Sequence, residues 1–456
     1  MKKTISLVLT SCIACTTACA EVKPANNEHY RYDLIPKGFA PSPTPAKQAL
    51  SNAPLFEEPD VTVLMTLTGE QATDGFGWVA EDLGDINGDG AGDFIVTAPF
   101  FSTNVPFPAG KIYVYSGADG SILNSVTSPG VPVWGYSAKG AGDVDGDGTT
   151  DYIVGSFSSV MVFSGATHAV LHQWFKAGEF FGSSVTGAGD LNNDGFGDVI
   201  VGARYAGNKK ASRGKVYAYS GKDGKLLWKR KGKAAGDQLG TATGAIGDVN
   251  NDGVPDVVVG ARGVGDNEQG RAFILSGHNG HILRKLKPKG EPGLVTDGAG
   301  VTAGTFGLFH GFGVGDVNGD GIDDAYVGDY NAQTETVNGS GRGFLFSGAT
   351  GKRLHIFDSE NTGDGFGPAR GVGDVNHDGH NDLFIAAYTY TGGSNAGKGY
   401  LYSGKDFTVL KTFTGTTANQ FLGVDALGIS DINNDGIDEL MLTGSGILHI
   451  IAGAKH

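Results

Sequence analysis

A ten-residue stretch at 84–93, GDINGDGAGD, returns in recognisable form six more times along the chain, and this repetition constrains the fold more than any other feature. Aligned on their first aspartate, the copies begin at Asp85, Asp143, Asp190, Asp248, Asp316, Asp374 and Asp431, at intervals of 58, 47, 58, 68, 58 and 57 residues. Units of that size match one four-stranded propeller blade. In every unit an aromatic residue or leucine followed by glycine precedes the acidic stretch: Phe76-Gly77, Trp134-Gly135, Phe181-Gly182, Leu239-Gly240, Phe306-Gly307, Phe366-Gly367 and Leu422-Gly423. After it come a β-branched run such as DFIVTAP or DVVVGAR, an alternating run ending in Ser-Gly such as GKIYVYSG, a turn, and a short run such as KLLWKR. Each of these patterns reads as a strand or a turn. The 77 glycines and a charged fraction of only 18% agree with many short strands and frequent turns.

The two ends of the repeat select a closed ring. The last unit stops at GILHIIAGAKH, which matches the third strand of the others, and has no fourth. Ahead of the first unit, residues 61–69 (VTVLMTLTG) resemble a fourth strand such as TVLKTFTG at 408–415. The expectation is an all-β fold, a seven-bladed β-propeller of four-stranded antiparallel blades, closed when the N-terminal strand completes the last blade. Closure of this kind leaves no long strand edge bare.

Within each acidic stretch, oxygen-bearing side chains fall at positions one, three, five and nine, with glycine at six. The first three sets are Asp85, Asn87, Asp89 and Asp93; Asp143, Asp145, Asp147 and Asp151; and Asp190, Asn192, Asp194 and Asp198. The next three are Asp248, Asn250, Asp252 and Asp256; Asp316, Asn318, Asp320 and Asp324; and Asp374, Asn376, Asp378 and Asp382. The seventh is Asp431, Asn433, Asp435 and Glu439. Carboxylates held this close repel one another unless a cation sits among them. A hard ion with flexible oxygen coordination is Ca²⁺, and the glycine permits the sharp turn, as in an EF-hand loop. An EF-hand itself is excluded, because position twelve carries Val96, Val154, Val201, Val259, Val327, Ile385 or Leu442 where a bidentate Glu is needed. A single Asp-rich turn is more often a solvated turn than a metal site. Seven copies in one register reverse that judgement and point to as many as seven Ca²⁺ ions.

The start of the chain reads as an export signal over 1–20: Lys2 and Lys3, an apolar stretch through Ile13, and Ala18-Cys19-Ala20 before Glu21. Cleavage after Ala20 removes all three cysteines, so no disulfide framework is expected. The competing reading is a lipid anchor on Cys19 or Cys12. Residues 21–56 are rich in Pro and Ala and read as a linker, with the propeller over 57–456. No apolar run beyond the leader is long enough to span a bilayer. The expected location is extracellular, periplasmic or at the cell surface. The formal charge of −15 argues against nonspecific nucleic-acid binding. It becomes about −17 without the leader and about −3 with seven Ca²⁺ bound, so most of the acidity belongs to the metal loops.

The Phe-Gly pairs, the DxNxDGxxD loops, and the Gly-Ala pairs at Gly202-Ala203 and Gly260-Ala261 resemble the FG-GAP repeats of integrin α N-terminal propellers over roughly residues 61–456. The resemblance implies Ca²⁺ between the first and second strands of a blade, on the face opposite the connections between strands two and three. Those connections vary, with long ones at 98–110, 203–214, 329–343 and 387–399. A variable rim on a rigid ring is a site of recognition, and a protein or glycan is the expected ligand. Phe100, Phe101, Phe107, Arg204, Tyr205, Arg262, Tyr330, Tyr388 and Tyr390 are candidate contacts, set against the plain alternative that they pack their own loops. A glycine-rich insertion at 287–312, holding His310, accounts for the 68-residue interval.

Two functional classes follow. The first is an adhesion or binding module without catalysis. The second is a polysaccharide lyase built on the ring, which needs a His or Tyr base beside Arg or Lys. No Gly-x-Ser-x-Gly elbow or Cys/His pair stands out. Oligomeric state carries no signal in the sequence.

Overall fold

The structure is a computed structural model that describes residues 54–453 apart from 72, 103–107, 129–130, 208–211, 265–269, 289–305, 308–310, 331 and 333–339. The expected leader, nearly all of the linker, Phe107, His310 and most of the 287–312 insertion lie outside the described residues.

Seven four-stranded antiparallel sheets are present, each built from consecutive strands except the last. The first blade runs Ala80–Gly84, Asp93–Ala98, Lys111–Tyr115 and Ile122–Thr127. Every acidic stretch connects the first two strands of its blade. Because neighbouring strands are antiparallel, that connection shares one end of the blade with the turn between strands three and four. The connections between strands two and three, and from blade to blade, lie at the other end.

The burial pattern explains the sequence pattern. Second strands such as Asp93–Ala98 and Val199–Ala203 are buried at every position, because both faces of a middle strand are covered by adjacent blades. Fourth strands are outermost and only partly covered, as in Leu226–Lys231. The apolar core is accordingly divided into seven clusters, one at each blade-to-blade interface. Each fully buried Val, Leu or Ile contributes about 1.5–3 kcal/mol, so a ring of such interfaces needs no central core. The aromatic of the Phe-Gly pair is the keystone of its cluster: Phe76 meets Tyr113 edge-on at 5.7 Å, Phe181 meets Tyr217 at 5.6 Å and Phe366 meets Tyr400 at 5.6 Å.

The ring closes as expected. Val63–Thr68 pairs antiparallel with Ile447–Ile451, placing Leu67 opposite Leu448, and completes the sheet formed by Ala426–Ile429 and Glu439–Gly444. One apolar cluster then joins residues of the last blade, such as Leu427 and Ile450, to Phe76 and Phe94 of the first. The seam holds a buried histidine, His449, whose Nδ1 lies 2.9 Å from Thr66 Oγ1 and whose ring meets Phe56 at 5.7 Å. Leu55 and Phe56, placed at the end of the linker by the sequence, instead begin the packed structure: Phe56 is buried and Thr416 N donates to Leu55 O.

Candidate metal centre

The seven acidic loops wrap around their first aspartate, most completely in blade one. Asp85 accepts N–H groups from Gly88, Asp89 and Gly90, at 2.7, 3.1 and 2.9 Å. Asp89 in turn accepts from Ala91 at 3.0 Å. The first carboxylate thus wraps the loop around itself, and the glycine at position six supplies the left-handed backbone this needs, with φ of 91° at Gly90 and 83° at Gly321. Equivalent bonds from position six to position one recur in all seven loops.

Position nine behaves differently from the other three. Asp93, Asp151, Asp198, Asp256, Asp324, Asp382 and Glu439 all have 0% exposure, whereas most of the remaining acidic positions are half-buried or exposed. Each buried carboxylate accepts the N–H of position two, as in Ile86 to Asp93 at 3.0 Å. Six also accept an N–H from the end of the third strand: Gly117, Gly165, Gly221, Gly277, Gly348 and Gly404. This explains the recurrent Ser-Gly, whose role the sequence reading had passed over. A Cβ on Gly117 would sit 1.9 Å from Gly92 O, and one on Gly277 would sit 1.8 Å from Pro255 O, so only glycine lets the third strand reach the loop. Position two also went unnoticed: Ile86, Val144, Leu191, Val249, Val317 and Ile432 are buried and anchor their loops in the inter-blade cores.

Burial raises the position-nine carboxyls, to about 6 for Asp93, Asp151, Asp198 and Asp256 and to about 7 for Asp324 and Glu439, against the opposing effect of the backbone donors. No Lys or Arg among the described residues forms an ion pair with a position-nine carboxylate. Carboxylate oxygens of Asp143, Asp145 and Asp151 lie within 4.8 Å of one another, as do those of Asp431, Asp435 and Glu439. An all-oxygen donor set that is partly buried fits a hard divalent cation.

The opposite end is built from aromatic packing. The Arg204 guanidinium is buried among Tyr136, Phe157, Phe180 and Tyr205, with ring centroids 5.2 to 6.0 Å away. Trp78 meets both Phe100 and Tyr136 at 5.5 Å, and Phe157 meets Phe180 at 4.5 Å. Of the expected contact residues, Phe101, Arg204 and Tyr330 are buried, and Tyr390 donates to Glu360. These side chains are engaged in packing and hydrogen bonding, in part across to the neighbouring blade. Arg262, Tyr205, Tyr388 and Phe100 remain half-buried.

Four segments, 77–115, 181–219, 240–275 and 366–402, match the FG-GAP repeat family, and they fall on blades one, three, four and six. Integrin alpha-3 of Cricetulus griseus is 35% identical over 96 residues, covering 19% of this chain and 9% of that protein. Integrin alpha-V of Gallus gallus is 40% identical over 93 residues, covering 18% and 8%. Integrin alpha-PS2 of Drosophila melanogaster is 34% identical over 99 residues, covering 19% and 7%. The matched stretch therefore spans less than a tenth of each relative. Four FG-GAP repeats are thus set in a ring of seven four-stranded blades, a β-propeller that shares sequence similarity with integrin α chains over about a fifth of its length.

Proposed function

We propose that the protein is an exported, calcium-stabilised β-propeller that serves as a binding or adhesion module, taking a protein or glycan on the end of the ring opposite the acidic loops. The observation that carries this reading is the seven-fold set of buried carboxylates for which the described residues supply no cationic partner. Seven acidic loops of one pattern at one end suit a scaffold, since a catalytic centre needs a single asymmetric constellation. The leader segment and the integrin-like repeats support a location outside the cell, at its surface or in the periplasm. No helix among the described residues is long and apolar enough to cross a membrane.

The lyase alternative draws less support. A Tyr base functions with a lowered pKa, yet burial pushes Tyr330 and Tyr388 well above the ordinary range despite the Arg262 and Arg204 charges near Tyr330. The test has two parts. Calcium content of the purified protein, equilibrated in calcium and desalted, is expected to approach seven per chain. A glycan and protein array, probed with wild type and with Arg262→Ala, identifies the ligand class. Calcium content near zero would overturn the scaffold reading, and unsaturated products from an acidic polysaccharide would replace binding by catalysis.

A further inference from the structure

The fourth strands of blades three and four differ from all others in charge. Residues 222–233, KDGKLLWKRKGK, hold six basic residues and one acid, and the next fourth strand and its exit, 282–287 (ILRKLK), hold three basic residues and no acid. The five remaining fourth strands, ILNSVT, VLHQWF, RLHIFD, VLKTFT and VLMTLT, carry two basic residues and one acid between them. In a chain of net charge −15 this is a local reversal of sign.

Side-chain alternation places these cations in two seams. On blade three, Trp228 and Arg230 turn toward blade four, donating to Gly277 O and Gly280 O. Lys229 and Lys231, which alternate with them, point the other way, and their strand partners Tyr217 and Lys215 engage Glu179 at the entry to that blade. On blade four, Arg284 turns toward blade five and donates to Ala349 O, so Lys285 faces blade three. Its strand partner Phe273 lies in the core shared by blades three and four. Lys229, Lys231, Lys285 and Lys287 are all exposed, and none pairs with a carboxylate among the described residues. Alternate residues on one strand are about 6.8 Å apart, so each seam presents two successive exposed positive charges on the outer wall.

We propose that these two seams bind a linear acidic polysaccharide, threaded along the outer wall of blades three and four. Cations spaced at strand intervals on two neighbouring seams match a thread of regularly spaced anions. A bilayer would ask for a flat cationic face, and a nucleic acid for exposed rings free to stack, whereas Trp174 and Trp228 are committed to carbonyls of the neighbouring blade. The site is separate from the rim of the proposed binding module, and it survives if that rim proves inert.

The experiment measures binding of calcium-equilibrated protein to heparin and chondroitin sulfate, with dextran, anionic phosphatidylglycerol vesicles and single-stranded oligothymidylate as comparison probes. Binding to the sulfated polysaccharides is expected, weakening steeply with salt as released counterions require. The variant K229Q/K231Q/K285Q is expected to lose about tenfold or more in affinity and to show a shallower salt dependence, with unchanged melting and calcium content. The control K352Q/K405Q, which removes exposed lysines from blades five and six, is expected to bind like wild type. The proposal is overturned if wild type binds no polyanion, if the two variants weaken equally, or if vesicles or oligothymidylate bind more tightly than either polysaccharide.

Discussion

The two ends of the ring neutralise carboxylates in opposite ways. At the loop end, Asp93 and its six counterparts are enclosed by backbone N–H donors, joined by the side-chain amides of Asn87, Asn318 and Asn433 in three of the loops, and burial holds their pKa values high. At the other end, the chain supplies its own cations. Lys111 Nζ lies 2.5 Å from Glu70, Lys215 Nζ lies 2.9 Å from Glu179 and Lys398 Nζ lies 2.8 Å from Glu360, with Tyr113, Tyr217 and Tyr390 adding hydroxyl donors. Burial alone would raise Glu179 and Glu360, yet the Lys and Tyr donors outweigh it and hold both below the usual value. One end is complete as folded, and the other is where a bound cation is proposed. Chelation is the largest test of that contrast. A cation bound at 100 times its dissociation constant stabilises by about 2.7 kcal/mol per site, so removing calcium from several loops is expected to lower the melting temperature by more than about 10 °C. A melting curve unmoved by EDTA would erase the distinction between the ends.

The self-neutralised end breaks by substitution, with no dependence on metal. Glu70→Ala strands Lys111, whose side chain is 1% exposed, and removal of one member of such a pair costs about 3–5 kcal/mol. Denaturant unfolding is expected to show the same loss with and without calcium. Asp147→Ala should do the reverse. Asp147 is exposed, and its side chain accepts a single loop N–H, from Thr149. The substitution is therefore expected to leave the metal-free protein within about 1 kcal/mol of wild type. In the calcium-bound protein it should reduce the stoichiometry by one and loosen blade two.

How much of this was legible beforehand follows the same division. The loop end could be read because identical residues recur in a fixed register, which located the strands, the blade count and the acidic sets. Ring closure could be read because one strand was missing at the C-terminus and spare at the N-terminus. What escaped were features whose meaning lies in contact between distant segments. The Ser-Gly after each third strand was visible as a pattern, but its glycine matters only because Gly92 O or Pro255 O approaches from another loop. The rim stayed open for a related reason. Arg204 and Tyr330 have chemistry that suits either ligand contact or packing, and nothing in their local sequence announces the ring of Tyr136, Phe157, Phe180 and Tyr205 assembled from two blades around Arg204.

Proton linkage separates the ends more finely. In metal-free protein the loop carboxyls have folded-state pKa values near 6 to 7, above their unfolded values, so between about pH 4 and 7 the folded state binds more protons. Their contribution to stability is present at low pH and is lost as pH rises through 6 to 7. Glu179 and Glu360, held low, act in the other direction and lose their contribution as pH falls. His449 sides with them. Burial depresses it to about 4, so its contribution is lost as pH drops from about 6.5 toward 4, amounting to about 3 kcal/mol at the closure seam. Unfolding of the metal-free protein as a function of pH, compared with His449→Gln, is expected to show a flatter acid limb in the variant. An unchanged limb would mean that the seam does not feel the histidine.

The smallest expected effect concerns the half-buried rim aromatics. Phe100 touches Trp78 edge-on at 5.5 Å from a connection between strands two and three, well away from the inter-blade cores. Such an aromatic pair is worth about 0.5–1.5 kcal/mol beyond the area it buries, so Phe100→Ser should cost little stability and should leave calcium stoichiometry untouched. If the rim carries recognition, the same substitution lowers affinity for the array-identified ligand while the melting temperature barely moves. A variant that instead melts several degrees lower, with ligand affinity intact, would make this connection part of the scaffold and would shift recognition to Arg262 and the neighbouring blades.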